Sequence, residues 1–299
     1  MRVAGKGDQP FHQCSPGQCE RSKEKDCGSF DRGEQILFLK NNIVFLGAGN
    51  VATHLAVHFQ KAGHRVTCIY SKTTASARRL ADRLDTEGTA DTGEVPREAD
   101  FYLLCVPDRA VQRVSGLFAG YKGIWLHCSG ALSPEILSES HQRFGVLYPL
   151  QTFSRDHELS LSDVPFLIEG SSDEVTRTIG DLAGSVSSSV HRMDTSSRLA
   201  IHLAAVFANN FTTHMVHVAQ QILEARGIEP ELVVPLLNET FHKLSLLKAA
   251  DVQTGPARRG DVETMQRHIR LLKEHPEWEK LYTFISRDIR DALSGRNEE

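Results

Sequence analysis

One stretch constrains this chain more than any other: Asn42 to Leu46, then Gly47, Ala48, Gly49, Asn50, Val51 and Ala52. A short apolar run of strand length breaks at two glycines and resumes at helical spacing, with Val51, Leu55 and Phe59 on one face. A G-x-G-x-x-A pattern between a strand and a helix is the context in which a dinucleotide pyrophosphate is held. Gly47 is expected to make the tight turn and Gly49 to let the backbone approach phosphate. Small Ala52 lets the helix pack close to the strand. Ala48, Asn50 and Val51 complete the loop, and the helix N-terminus offers free N–H groups and a positive dipole end.

The rest of the first half repeats this design. Apolar runs at 65–70, 100–107, 123–128, 144–148, 165–169 and 190–193 read as strands, with helical spacing over 74–84 and 173–183. Strands alternating with helices predict a mostly parallel, doubly wound sheet covered on both faces. From residue 195 strand signals vanish. Helices are expected over 198–226, 231–249, 261–274 and 276–293, the first of them apolar around much of its circumference and so expected to be buried, in part against another subunit. The predicted organisation is a polar tail (1–36), an α/β dinucleotide-binding domain (37–194) and an all-α domain (195–293). Cys14, Cys19 and Cys27 in the tail lack zinc-site spacing, and no metal is expected there.

At 299 residues the chain can build two cores, and a net charge of −4 with no basic stripe gives no reason to expect nucleic acid. No apolar run reaches the roughly 18 residues of a membrane span, and the N-terminus has no apolar signal segment. Six cysteines in a chain this long make no disulfide framework, so a reducing cytoplasm is the expected location.

The end of the second strand bears on the nucleotide. An NAD site usually carries an acid about 20 residues after the glycines. Here Ser71 and Lys72 occupy that place and Arg78 and Arg79 follow, a hydroxyl and three cations that suit a 2′-phosphate. NADP(H) is the expected cofactor, with NAD second. Val106, Pro107 and Ser129 follow two strand ends where nicotinamide and substrate should lie. Cys105 and Cys128 beside them read either as a redox pair or as small apolar strand residues.

In the helical half, His202, Asn209 and Asn210 lie on the long helix. Glu239 and Lys243 are spaced for an ion pair, and the polar stretch from Gln253 to Asp261 is stiffened by glycine and proline. Lys243 or His202 is the candidate acid/base, Lys243 preferably as an anchor for a substrate carboxylate, with Asn209, Asn210 and Gln253 as polar clamps. That arrangement requires Lys243 and Asn209 to enter one cleft near Ser129.

These stretches, together with His127 to Leu132, Tyr148 to Ser154 and His202 to Phe211, resemble a family of oxidoreductase-type proteins. Its members pair a Rossmann-like domain with the C-terminal domain of unknown function 2520. The resemblance runs from about Leu37 to Ile289. It implies a helical dimerising domain like those of ketopantoate, pyrroline-5-carboxylate and hydroxyacid reductases, and hence a homodimer. No substrate comes with the resemblance; by analogy of fold a small carbonyl, imine or hydroxy-acid metabolite is the expected substrate, and charge and hydropathy lead to no nucleic-acid or membrane partner. Hydroxyacid dehydrogenases place a catalytic lysine just before the paired asparagines, where this chain has Ala204, Ala205 and Val206. The alternative function is a dinucleotide-binding sensor or assembly module without turnover.

Overall fold

A computed structural model describes residues 40–155 and 157–294. The expected polar tail, with its three cysteines, lies outside the described residues. Eight strands form one sheet: β1 (Asn42–Leu46), β2 (Arg65–Tyr70), β3 (Glu87–Thr89), β4 (Glu98–Leu104), β5 (Lys122–His127), β6 (Phe144–Pro149), β7 (Phe166–Gly170) and β8 (Val190–Arg192). Their order is β3-β2-β1-β4-β5-β6-β7-β8. Every neighbouring pair is parallel except β6 with β7, which is antiparallel. The chain therefore reverses direction across the sheet between β1 and β4, the switch point at which open α/β sheets bind ligands beyond their carboxyl ends.

Four helices accompany the sheet: α1 (Asn50–Lys61), α2 (Thr74–Ala81), α3 (Val111–Gly116) and α4 (Asp173–Gly184). One core holds Ile43, Phe45, Leu55, Phe59, Leu103 and Ile179; the other, on the opposite face, holds Val44, Leu46, Tyr102 and Trp125. In the second, the Trp125 ring stacks between Tyr102 at 4.3 Å and His141 at 3.8 Å. Strand alternation sends successive side chains to opposite faces, which is why neighbours such as Val44 and Phe45 serve different cores. Two details depart from the sequence reading. α2 stops at Ala81 rather than running to 84, and the chain turns through Asp85 at φ 50° into β3, an edge strand of three residues with no detectable period.

Beyond β8, Asp194 caps α5 (Thr195–Ala205) by accepting the Ser197 N–H at 2.7 Å. The helix runs on through a π-helical turn (Val206–Phe211) into α6 (Thr212–Glu224). Then come α7 (Val234–Leu246), two short helices, α8 (Ala249–Val252) and α9 (Pro256–Arg259), and finally α10 (Val262–Leu271) and α11 (Pro276–Ser294). The long helix is not buried as its apolar circumference predicts: within the chain only Arg198 and Val218 of its described residues are inaccessible. Among the described residues, every exposed large apolar side chain except Leu117 lies beyond residue 195. No helix of the described residues is long and apolar enough to cross a membrane.

Candidate active site

The glycine turn sits at the carboxyl end of β1. Gly47 has φ 118°, and a Cβ there would stand 2.3 Å from the Cys105 carbonyl oxygen, so only glycine fits. A Cβ on Gly49 would meet nothing within 4 Å, leaving open space over the backbone. The start of α1 carries no acidic residue and no side-chain cap. Its first N–H groups and dipole are therefore available to an anion. These features fit a dinucleotide pyrophosphate.

The long connection from β6 to β7 folds back over this turn. The Asn50 amide donates to the Phe153 carbonyl at 2.8 Å, and Arg155 donates to the Ala48 carbonyl at 3.1 Å. Between that connection and the long helix lies a cleft of about 660 Å³, lined by Asn50, Val51, Tyr148, Phe153, His202 and Asn209 among others. A cavity of about 550 Å³ lies by Asn42, Glu98 and Lys122, at the amino ends of the strands. Ligands of open parallel sheets bind at the other end.

In the first cleft the Tyr148 hydroxyl and His202 Nδ1 share a hydrogen bond of 3.0 Å, their rings edge to face. Burial pushes the Tyr148 hydroxyl above its ordinary range, so it stays protonated at neutral pH. The pair is seated on Gly130: a Cβ there would fall 2.8 Å from two His202 ring atoms and 2.9 Å from Tyr148 Cζ. Asn209 and Asn210 also line the cleft and occupy the π-helical turn, an irregularity that recurs at functional sites.

What holds the long helix to the sheet is Arg198, one helical turn before His202. Its guanidinium is fully buried, pairs with Glu169 of β7, and donates to the Leu132 carbonyl at 2.6 Å and to Thr195 Oγ1 at 3.3 Å. Nearby His127 is also fully buried. Burial, followed by the Arg198 charge, lowers its pKa to about 4, so it is a neutral imidazole accepting the Ser129 N–H at 3.2 Å.

Not every residue singled out in the sequence reaches this cleft. The Ser129 hydroxyl donates to Asp108 at 2.9 Å and accepts the Ala131 and Leu132 N–H groups. Lys243 is half-exposed on α7, ion-paired with Glu239 at 3.1 Å, and does not line the cleft beside Asn209. Lys243 and Asn209 therefore do not both line one cleft near Ser129: Asn209 lines the cleft and Ser129 and Lys243 do not, and α7 buries none of its residues. Gln253 is exposed and bonds to the adjacent Thr254 carbonyl. The loop after it is structural at Ala257, which is buried. Ser71 directly follows β2, with Lys72 exposed just before α2 and Arg78 and Arg79 exposed in its last turn. Val106 and Pro107 follow β4. Tyr148 and Arg198 escaped the sequence reading as site residues. The available signal for Tyr148 was its place at a strand end.

Residues 42–122 match the family described as NADP oxidoreductase coenzyme F420-dependent, and residues 164–289 match the domain of unknown function DUF2520. No curated protein matches the chain. A crystal structure described as a putative NADP oxidoreductase from Bacteroides fragilis is 34% identical, covering 84% of this chain and 98% of that one, with a TM-score of 0.81. A Thermotoga maritima protein is 23% identical over 85% of this chain and 99% of that one, with a TM-score of 0.64. The 1-pyrroline-5-carboxylate reductase of Streptococcus pyogenes shares the fold at 12% identity, covering 84% of this chain and 99% of that one, with a TM-score of 0.57. The chain belongs to the family of the Bacteroides fragilis protein, and in this chain the NADP oxidoreductase segment is followed by DUF2520.

Proposed function

We propose that the chain is an NADP(H)-dependent oxidoreductase acting on a small carbonyl, imine or hydroxy-acid metabolite. One observation carries this reading: a single cleft joins the helix start at the dinucleotide turn to an ordered Tyr148–His202 pair. A sensor without turnover would have no need of a protonated hydroxyl held at that place. The nicotinamide supplies or takes the hydride, and the protein must orient substrate and move a proton. Tyr148 is the proton donor in the reducing direction. His202 shares the hydroxyl hydrogen bond; donating to the phenol oxygen through its ring N–H, it leaves the Tyr148 hydrogen for the substrate, orients the phenol and takes part in returning its proton. Asn209 and Asn210 clamp the substrate. Gly47, Ala48, Gly49, Asn50 and Val51 hold the pyrophosphate. Ser71 and Lys72, with Arg78 or Arg79, meet a 2′-phosphate where an NAD site would carry an acid. The dinucleotide-binding part ends at residue 194 and the helical part begins at 195.

The working unit is a homodimer. α7 exposes Leu236, Phe241, Leu244 and Leu246, while α5 and the π turn expose Leu199, Leu203 and Phe207. Apolar surface on this scale marks an association surface. A second copy packed there would cover it, and Lys243 would serve as the carboxylate anchor across that interface.

The test is a fluorescence titration with NADPH and NADH, followed by a panel of ketones, 2-oxo acids and cyclic imines monitored by NADPH absorbance. NADPH is expected to bind more tightly. Lys72→Ala should weaken it by about tenfold, since a charge-assisted contact is worth roughly 1.5–3 kcal/mol. Tyr148→Phe should abolish turnover without loss of cofactor affinity. Equal affinities for the two nucleotides would overturn the NADP assignment, and full activity in Tyr148→Phe would overturn the proton donor.

A further inference from the structure

Cys105 follows β4 and Cys128 follows β5, and the Leu104–His127 register places the two cysteines opposite one another at the switch-point crevice. Their sulfurs are 3.7 Å apart, and both are free thiols. Adjacent strands lie about 4.8 Å apart, inside the Cα separation that a disulfide accepts, roughly 4.4–6.8 Å. Closure must bring the sulfurs from 3.7 Å to about 2.05 Å, by side-chain rotation together with a small approach of the two strand ends.

We infer that Cys105 and Cys128 form a peroxide-modifiable dithiol site, whose closure to a disulfide lowers the chain's affinity for its dinucleotide. Both side chains pack against the core that includes Ala48 and Ala52, alongside Val51 and Phe153. Val51 and Phe153, packed against the same core, also line the cleft. The glycine turn rests directly on the Cys105 backbone, as the 2.3 Å approach at Gly47 records. The loops leaving the two cysteines are tied by the Ser129–Asp108 hydrogen bond. A disulfide draws Cys105 toward β5, withdraws the support beneath the turn and locks both loops.

The chemistry balances with peroxide as the named oxidant. One thiolate attacks a peroxide oxygen, the O–O bond breaks, and hydroxide leaves with the formation of a sulfenic acid. The second sulfur attacks the sulfenyl sulfur, forming the S–S bond and releasing water. In total two thiols and one peroxide become one disulfide and two waters. The sulfurs together give up two electrons, which the peroxide takes. The hydrogen bond shared with Cys128 and burial raise the Cys105 pKa, so the pair rests as thiols and reacts only under sustained peroxide exposure.

The affinity change rests on the dinucleotide reading above; the bond itself does not. The full-length chain is treated with hydrogen peroxide, mapped by non-reducing peptide mass spectrometry and titrated with NADPH before and after. A peptide pair linked through Cys105 and Cys128, lighter by two hydrogens, is expected. The NADPH Kd should rise by about tenfold and recover with dithiothreitol. Cys128→Ala and Cys105→Ala should each form no such link and keep their own Kd under peroxide; either variant suffices if the other fails to fold. Free thiols at both positions after the tail cysteines have reacted would overturn the inference, as would a linked protein with an unchanged Kd. A reduced protein that binds neither nucleotide would instead overturn the cofactor assignment, and the mapping would still decide whether the dithiol exists.

Discussion

Replacing Arg198 with methionine tests how the helical part is fastened to the sheet. The side chain is fully buried, and its partner Glu169 is 23% exposed. Arg198→Met keeps the length of the side chain but leaves the Glu169 carboxylate without its cation and the Leu132 carbonyl without its donor. Removing one member of a buried pair costs about 3–5 kcal/mol. Solvent reaches part of Glu169, which also keeps a hydrogen bond from Thr195, so the cost belongs near 3 kcal/mol, the lower end of that range. Glu169→Leu alone strands the guanidinium and should cost at least as much. The double variant removes both charges, and apolar replacement of a buried pair is close to neutral, so it should recover most of the loss. The assay is urea denaturation of all four proteins at one protein concentration, with the coupling energy taken from the cycle. A loss below about 1 kcal/mol in Arg198→Met, or a double variant no more stable than either single one, would refute the fastening argument.

Gly130→Ala places a methyl group within 3 Å of both His202 and Tyr148, so the pair must separate. Turnover should fall by about tenfold or more at a stability cost of roughly 1–3 kcal/mol, with NADPH affinity within about twofold, checked by steady-state kinetics and titration. His127 and His141 are held near pKa 4, chiefly by burial, whereas an unfolded histidine titrates near 6.5. The unfolded chain therefore binds more protons between those values. The stability these groups contribute is whole above about pH 6.5 and is lost as the pH falls toward 4, by up to about 1.4 kcal/mol per pH unit for each histidine. Melting curves across that window should flatten in His127→Gln. Phe241→Asp on α7 should convert a dimer into a folded monomer, read by light scattering and circular dichroism. A wild-type chain that is itself monomeric would remove the homodimer from the proposal.

The dinucleotide turn was legible because its cause is local. The apolar run of β1, the two glycines and the period of α1 act within about a dozen residues, and the positive φ at Gly47 belongs to the turn itself. The same holds for the alternation of strands and helices, whereas the Asp194 cap, which starts α5 at Thr195 rather than at 198, was not read from the sequence. Interactions between distant residues were not legible. Tyr148 and His202 meet across 54 positions of sequence, Arg198 reaches Leu132 across 66, and no pattern of spacing ties such positions together. The antiparallel entry of β7 was hidden for a related reason, since a strand's composition does not encode the direction of its neighbour. For α7 the sequence shows an apolar helix carrying Glu239 and Lys243, and hydrophobicity says that such a surface must be covered but not by what. Only the tertiary structure decided that this chain leaves it uncovered, because packing geometry, not composition, determines which surfaces a fold can bring into contact.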